Sequence, residues 1–345
     1  MTQREIMARI PLLDGRGQIA HPGWARRMRY VYNREQARRN PFNLKEWNFY
    51  QFIKGHWVVQ LTIGHLSYAC NAAVTLLNLD TGEKREEGRL RLLCALDLDR
   101  DPEGPSVTEY RDEGFCLRFE VGNTVRRLTF QGESRRWGAA EVRLEAENDP
   151  ANEKMVIATP FAKPRQFYLN YKENYYWASG FARFGELEVG LDGASGLLDW
   201  GRGIWPYRHE WWWGSLSAMV DGAELGLNIG WGFGDLRHAT ENVFFYRRRA
   251  CKLGTLRVDM EGGYMDPWHL TEEDGRMELH FQPIYDNYTE RKLVVVDTIS
   301  AGIGDRVIIT TGSSARRMLK DDGIPVDAVV VGIIDEDCTF GQEQA

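Results

Sequence analysis

Apolar residues recur at every second position through much of this chain. Phe115, Leu117, Phe119 and Val121 alternate with Cys116, Arg118 and Glu120. Val142, Leu144 and Ala146 alternate with Arg143 and Glu145, and Leu187, Val189 and Leu191 alternate with Glu188 and Gly190. Leu279 and Phe281 alternate with Glu278, His280 and Gln282. A period of two marks an antiparallel strand with one buried face. Turn residues separate the runs at Asp80-Thr81-Gly82, Gly122-Asn123, Asp192-Gly193 and Asp221-Gly222. The last joins SLSAMV to AELGLNIGW and predicts a two-residue hairpin. Helical periodicity is scarce; Arg26–Arg39 is the best stretch for it. The pattern predicts a mainly β protein with two antiparallel barrels or sandwiches, over residues 1–155 and 156–290. The polar stretch Asn148–Pro164, with three prolines, marks the boundary. Beyond about Lys292 Gly and β-branched residues rise and Trp, Tyr and His vanish, so 291–345 is read as a short β-rich segment of different origin.

One stretch breaks the binary pattern. Asp199–Gly214 reads DWGRGIWPYRHEWWWG and holds five of the chain's 12 Trp. On a strand Trp212 must face away from Trp211 and Trp213. Ionisable groups beside so much aromatic surface are the usual makings of a ligand pocket. Trp205, Trp211 and Trp213 are therefore expected to line it, with Arg202 and Tyr207 holding a polar end. His209 or Glu210, desolvated by the indoles, is the candidate proton donor or acceptor. Asn228, Trp231, Asp235, Glu241 and Asn242 follow closely enough to join as ligand-binding residues; the alternative for Glu241 and Asn242 is that they satisfy backbone groups at a turn. Gly226, Gly230, Gly232 and Gly234 lack the G-K-[ST] and helix of a phosphate loop and read as a bending strand. His209, His238 and Glu241 lack metal-ligand spacing, so neither a metal nor a cofactor is expected.

Bulk properties narrow the partners. A net charge of −7 over 345 residues disfavours nucleic acid, and Arg247-Arg248-Arg249 reads as a hairpin tip. The five Cys show no C-x-x-C spacing, which predicts neither a zinc site nor a disulfide framework and fits a reducing, cytoplasmic setting. MTQREIMARIPLL is too charged for a signal peptide, and no apolar run reaches the ~18 residues of a spanning helix. The sequon at Asn287 is read as a chance match.

Residues from about Leu12 to Tyr288 resemble the bacterial domain of unknown function 2804 family. The resemblance lies in LLDGRGQIAHPGWAR, LKEWNFY at Leu44–Tyr50, the Trp-rich stretch, LGLNIGWGFGDLRHATENVFFY and DGRMELHFQPIYD. That family is distantly similar to the lipocalin-like double barrels of tocopherol cyclase, hydroxyneurosporene synthase and certain Diels–Alderases. The resemblance implies two lipocalin-like barrels around an apolar cavity, and no single activity. Lys45, Glu46, Trp47 and Tyr50 fall in the early motif, where they would wall the cavity or fasten the N-terminal segment. Asn48 and Phe49 depart from its more acidic, Tyr-rich form, which removes any acid role at position 48.

The segment VVVDTISAGIGDRVIITTGSSARR…PVDAVVVGIID resembles the second half of the pentamer-forming vertex protein of bacterial microcompartment shells, most clearly at Ala301–Asp305 and Gly312–Arg316. The first half of that domain has no counterpart here. Leu293–Val296 is accordingly expected to extend the open edge of the second barrel, and pentamers are not expected. Together the readings point to a protein that binds a lipophilic or amphipathic small molecule. The alternatives are an isomerase, hydratase or cyclase acting on an isoprenoid or lipid-like substrate, and association with a microcompartment shell through the C-terminal segment.

Overall fold

The computed structural model describes residues 3–37, 43–206, 210–260, 262, 265–283, 296–297, 306–311 and 328–334. Tyr207, His209, the sequon, Ala301–Asp305 and Gly312–Arg316 lie outside them. The chain divides into two compact units, Met1–Tyr285 and Asp286–Ala345.

The first unit opens with β1 (Ile10–Pro11), β2 (Gly23–Ala25), β3 (Tyr30–Val31) and the one-turn helix α1 (Arg34–Ala37). Of the helix expected over Arg26–Arg39, the described residues 26–37 are helical only in that turn, and Arg38 and Arg39 lie outside them. Tyr30 and Tyr32 are buried while Val31 is exposed, so this part of the stretch follows period two and is drawn into the strand. Four strands follow: β4 (Lys45–Lys54), β5 (Trp57–His65), β6 (Ala69–Asn78) and β7 (Lys84–Leu92). Next come β8 (Ser106–Asp112), β9 (Phe115–Val121), β10 (Val125–Ser134), β11 (Gly138–Glu147) and β12 (Met155–Pro160). The 18-residue β13 (Phe167–Phe184), β14 (Leu187–Gly190) and β15 (Ala194–Ile204) complete a 13-stranded sheet. Its main path runs β7-β6-β5-β4-β15-β13-β11-β10-β9-β8. The sheet therefore continues through residue 155.

This sheet curls into a half-barrel. Tyr50 on β4 meets Phe119 on β9 at 5.0 Å, although four strands separate them along the sheet. One core fills the concave side, drawing Phe52, Leu61, Val74, Leu117, Phe130, Leu144 and Trp200 from seven strands. The curl is closed by side chains. Arg85 on β7 donates to the Phe184 carbonyl (2.7 Å) and covers Trp137, and Arg89 covers Phe115 at 5.0 Å. Cys70 and Cys94 form a disulfide across a Cα separation of 6.0 Å, which corrects the expectation of no disulfide. Antiparallel pairing brings β7 back along β6, so residues 24 apart in sequence become neighbours. Cys spacing alone does not show this.

Gly180 of β13 holds a backbone conformation that other residues rarely adopt. Its φ is +131°, and a Cβ there would overlap the Arg143 carbonyl of β11. Gly180→Ala is expected to lower stability by about 1–3 kcal/mol from the backbone conformation alone, read as a lower urea midpoint. An unchanged midpoint would show that the backbone of β13 relaxes at no cost to accept a side chain there.

After Glu210 the strands β16 (Trp212–Val220), β17 (Ala223–Trp231), β18 (Val243–Tyr246) and β19 (Arg249–Lys252) form a four-stranded antiparallel sheet. The predicted hairpin closes at Asp221 and Gly222, both with positive φ. Arg247 and Arg248 form the second tip, also at positive φ. This sheet packs on the convex face of β13: Asn174 Nδ2 donates to Ser215 Oγ at 2.7 Å and to the Leu227 carbonyl at 3.0 Å. A three-stranded sheet, β20 (Leu256–Met260), β21 (Trp268–Glu272) and β22 (Glu278–Phe281), shares a second core with β17 through Leu227, Ile229, Leu256 and Leu270.

In the second unit, β23 (Val296–Asp297), β24 (Arg306–Thr311) and β25 (Ala328–Ile334) form their own sheet. Of Leu293–Val296, expected to extend the preceding barrel, Val296 is the described residue. Val296 pairs with Val329 of β25, so its backbone groups find partners within the segment. Leu293 to Val295 lie outside the described residues.

Candidate functional site

Three adjacent strands, β4, β15 and β13, carry buried polar groups on both faces. The reason is alternation: odd and even positions of one strand point to opposite sides. The in-register pairs Arg202–Glu46 and Trp200–Asn48 face the concave core, while Gly201–Trp47 and Asp199–Phe49 face the four-stranded sheet.

The concave centre is built on Arg202, whose side chain is fully buried. Its guanidinium donates to the Trp47 carbonyl (2.7 Å), Asn48 Oδ1 (2.9 Å) and the Asp99 carbonyl (2.7 Å), and lies 3.3 Å from Asp99 Oδ1 and 3.6 Å from Glu46. Trp200 Nε1 and Asn48 Nδ2 donate to the Asp99 carboxylate, and Tyr32 and Arg34 donate to Glu46. Deeper in the same core Arg126 and Lys154 flank Glu173. Burial works to raise the Glu173 carboxyl, but the two cations hold it below the ordinary range.

The convex centre lies between the sheets. Lys172 Nζ is 2.9 Å from Asp199, 4.0 Å from Glu241 and 4.3 Å above the Trp213 ring. Trp213 Nε1 donates to Asn228 Oδ1 at 2.7 Å, and Asn228 Nδ2 donates to the Glu241 carbonyl at 2.8 Å and carboxylate at 3.3 Å. Burial pushes the Glu241 carboxyl up, against Lys172 and Asn228. Aromatic rings wall one side. Trp47 stacks on Tyr168 at 5.7 Å and meets Trp205 edge-on at 5.4 Å. Phe233 packs against Tyr168, Trp205 and Trp211. A Cβ at residue 201 would overlap the Trp47 indole, so Gly201 is what lets that ring lie across β15. Lys45 Nζ sits 4.5 Å over Trp205. Trp211 and Trp213 are 51% and 37% exposed, so the aromatic group reaches solvent.

The structure divides the residues that the sequence grouped. Trp205, Trp211, Trp213, Asn228 and Glu241 lie on the convex side, whereas Arg202 lies across the sheet in the concave centre. Glu210 is exposed, which corrects its expected desolvation by the indoles. Trp231 stacks on Trp212 at 5.9 Å, in the second core. Asp235 pairs with the exposed Arg237, which holds its carboxyl down at about 2. Asn242 accepts from the Gly230 amide and donates to the Gly254 carbonyl, a backbone role. Lys172, Asp199 and Asp99 were not singled out. The available signal was a Lys and two Asn inside the aromatic run FYLNYKENYYW. A surface hollow of about 420 Å³ lies elsewhere against Arg111, Cys116, Arg118 and Gln131, and its arginines are partly or fully exposed.

A family model described as domain of unknown function (DUF2804) matches residues 3–302. The chain belongs to this family. A second model, ethanolamine utilisation protein EutN/carboxysome, matches residues 275–335 of the DUF2804 chain. Over 49 residues it is 47% identical to the microcompartment shell vertex protein EutN of Escherichia coli K12, covering 14% of this chain and 52% of that protein. Over 42 residues it is 55% identical to the shell vertex protein GrpN of Rhodospirillum rubrum, covering 12% and 47%. The DUF2804 chain spans about half the length of the curated relatives it matches. Among solved structures it is similar to a putative AttH from Nitrosomonas europaea, at TM-score 0.40 and 12% identity over 71% of this chain and 81% of that one. It is also similar to kievitone hydratase from Nectria haematococca, at TM-score 0.38 and 11% identity over 70% and 77%. Among the described residues no helix is long and apolar enough to cross a membrane.

Proposed function

We propose that the chain binds a small amphipathic molecule between the two sheets. Its apolar body rests on Trp47, Trp205, Trp213 and Phe233, and its polar end meets Lys172 and Glu241. The observation that carries this reading is Lys172, 4.0 Å from Glu241 and 4.3 Å from the partly exposed Trp213 indole, with an aromatic wall beside it. Few convergent polar groups among aromatic surfaces is the usual composition of a small-molecule site. The test is titration with a fluorescent fatty-acid analogue. Trp213→Ala is expected to weaken its binding at least tenfold. The stability loss should stay below the ~3–5 kcal/mol of a fully buried Trp, because this indole is partly exposed. Equal affinity in the two proteins overturns the reading.

A second reading, acid catalysis on a lipid-like substrate, is favoured by Glu241. Burial pushes its carboxyl up, against Lys172 and Asn228, and it lies beside the aromatic wall, whereas Glu210 is exposed to water. Association with a microcompartment shell through residues 275–335 is supported by the vertex-protein matches. Native mass spectrometry of the full chain separates a monomer from a five-fold assembly.

A further inference from the structure

The β21–β22 hairpin places three metal-ligating side chains on one outward face. His269 and His280 are directly paired across the two strands, and Glu278 precedes His280 by two residues, so all three project to the same side. The opposite face carries Leu270 and Leu279 into the second core. The two imidazoles stack with centroids 4.4 Å apart and planes 6° from parallel. Both Nε2 atoms are turned to one carboxylate oxygen: His269 lies 2.7 Å and His280 3.5 Å from Glu278 Oε1. All three ligand atoms fall within 4.8 Å of one another.

We infer that His269, Glu278 and His280 form a surface site for a borderline divalent transition ion such as Zn²⁺ or Ni²⁺. The donor set decides the class. Two imidazoles and one carboxylate suit these ions, whereas Ca²⁺ and Mg²⁺ take oxygen donors. An ion needs donors about 2.0–2.2 Å away. The present separations come within that reach by small side-chain rotations, which are available because all three groups are partly or fully exposed. The ion takes the place of the contacts between the two rings and Glu278. Three protein ligands leave at least one position for water, so the ion is exchangeable. Because β21 and β22 each supply a ligand, binding cross-links the two strands, and β22 is the last in the path of its sheet. Neither the interlayer site nor the family match contributes to this assignment.

The test uses the full chain without a histidine tag, stripped with a chelator and titrated calorimetrically with zinc chloride and with nickel chloride. One ion per chain is expected, with a higher melting temperature when it is bound. His269→Gln and His280→Gln should each weaken binding at least about tenfold, the scale on which even supporting residues act. Both variants should melt in chelator where the parent does, because the side chains are partly or fully exposed. His238→Gln should bind as the parent does. The assignment is overturned if the parent takes up no ion, or if the His269→Gln, His280→Gln double variant binds with the parent's affinity.

Discussion

Arg202→Met is expected to lower the unfolding free energy by about 3–5 kcal/mol, the range for breaking a buried ion pair by removing one partner. The variant keeps most of the side chain's bulk, so the loss is one of charge and hydrogen bonds. Asp99, with a side chain only 3% exposed, is left with neutral donors, from Trp200, Asn48 and Thr108. The carbonyls of Trp47 and Asp99 lose the guanidinium that joins β4 to β15. Arg202→Lys should fall between the two, because an ammonium keeps the charge but loses the planar fork. Urea melts at neutral pH decide it. A loss below about 1 kcal/mol for Arg202→Met would mean that the carboxylates relax into water and that the centre is not sealed.

Glu272 is expected to stabilise the fold by on the order of 3 kcal/mol at neutral pH, all of it lost in acid. Its carboxylate is buried at the end of β21. It accepts from the amides of Gly254 (2.7 Å), Asp274 (3.0 Å) and Arg276 (3.3 Å), and from the Arg276 guanidinium. Burial works to raise its pKa, but these donors hold it at about 2, against an ordinary value of 4.5. A depressed folded pKa means that the unfolded chain takes up the proton first. The stabilisation is therefore complete above about pH 5 and disappears as pH falls towards 2. The difference in stability between the parent and Glu272→Gln should shrink over that window. A difference that stays constant from pH 7 to 3 would assign the effect to shape rather than charge.

The regular parts of the fold were legible because one face of each strand meets water. β9 and β11 alternate cleanly, and the Asp221-Gly222 turn has the residue pair that a tight hairpin requires. β13 was opaque for the opposite reason. Both its faces are covered, one by the barrel core and one by the four-stranded sheet, so Asn170, Lys172, Glu173 and Asn174 are buried where a binary pattern reads a solvated face. The same covering explains how the candidate site was only partly legible. Its aromatic density was visible in DWGRGIWPYRHEWWWG, but the side of the sheet that each residue takes depends on register. Arg202 and Asp199 are three positions apart on β15 and therefore face opposite ways. Lys172 reaches Asp199 only through the pairing of β13 with β15, which no local spacing encodes. Cys70 and Cys94 were missed on the same account.

The curled sheet has one line along which it is not knitted. Elsewhere along its main path, neighbouring strands are held by a ladder of backbone hydrogen bonds, and parting them breaks the whole row at once. Where β7 meets the turns of the opposite strands, the join is Arg85 and Arg89 laid over Trp137 and Phe115. Separation there gives up cation–π contacts worth about 0.5–1 kcal/mol each at exposed sites. It also gives up the Arg85 bond to the Phe184 carbonyl, but no ladder. Such a wall yields at its seam first, so the concave core is shielded from water least where arginine side chains stand in for a strand.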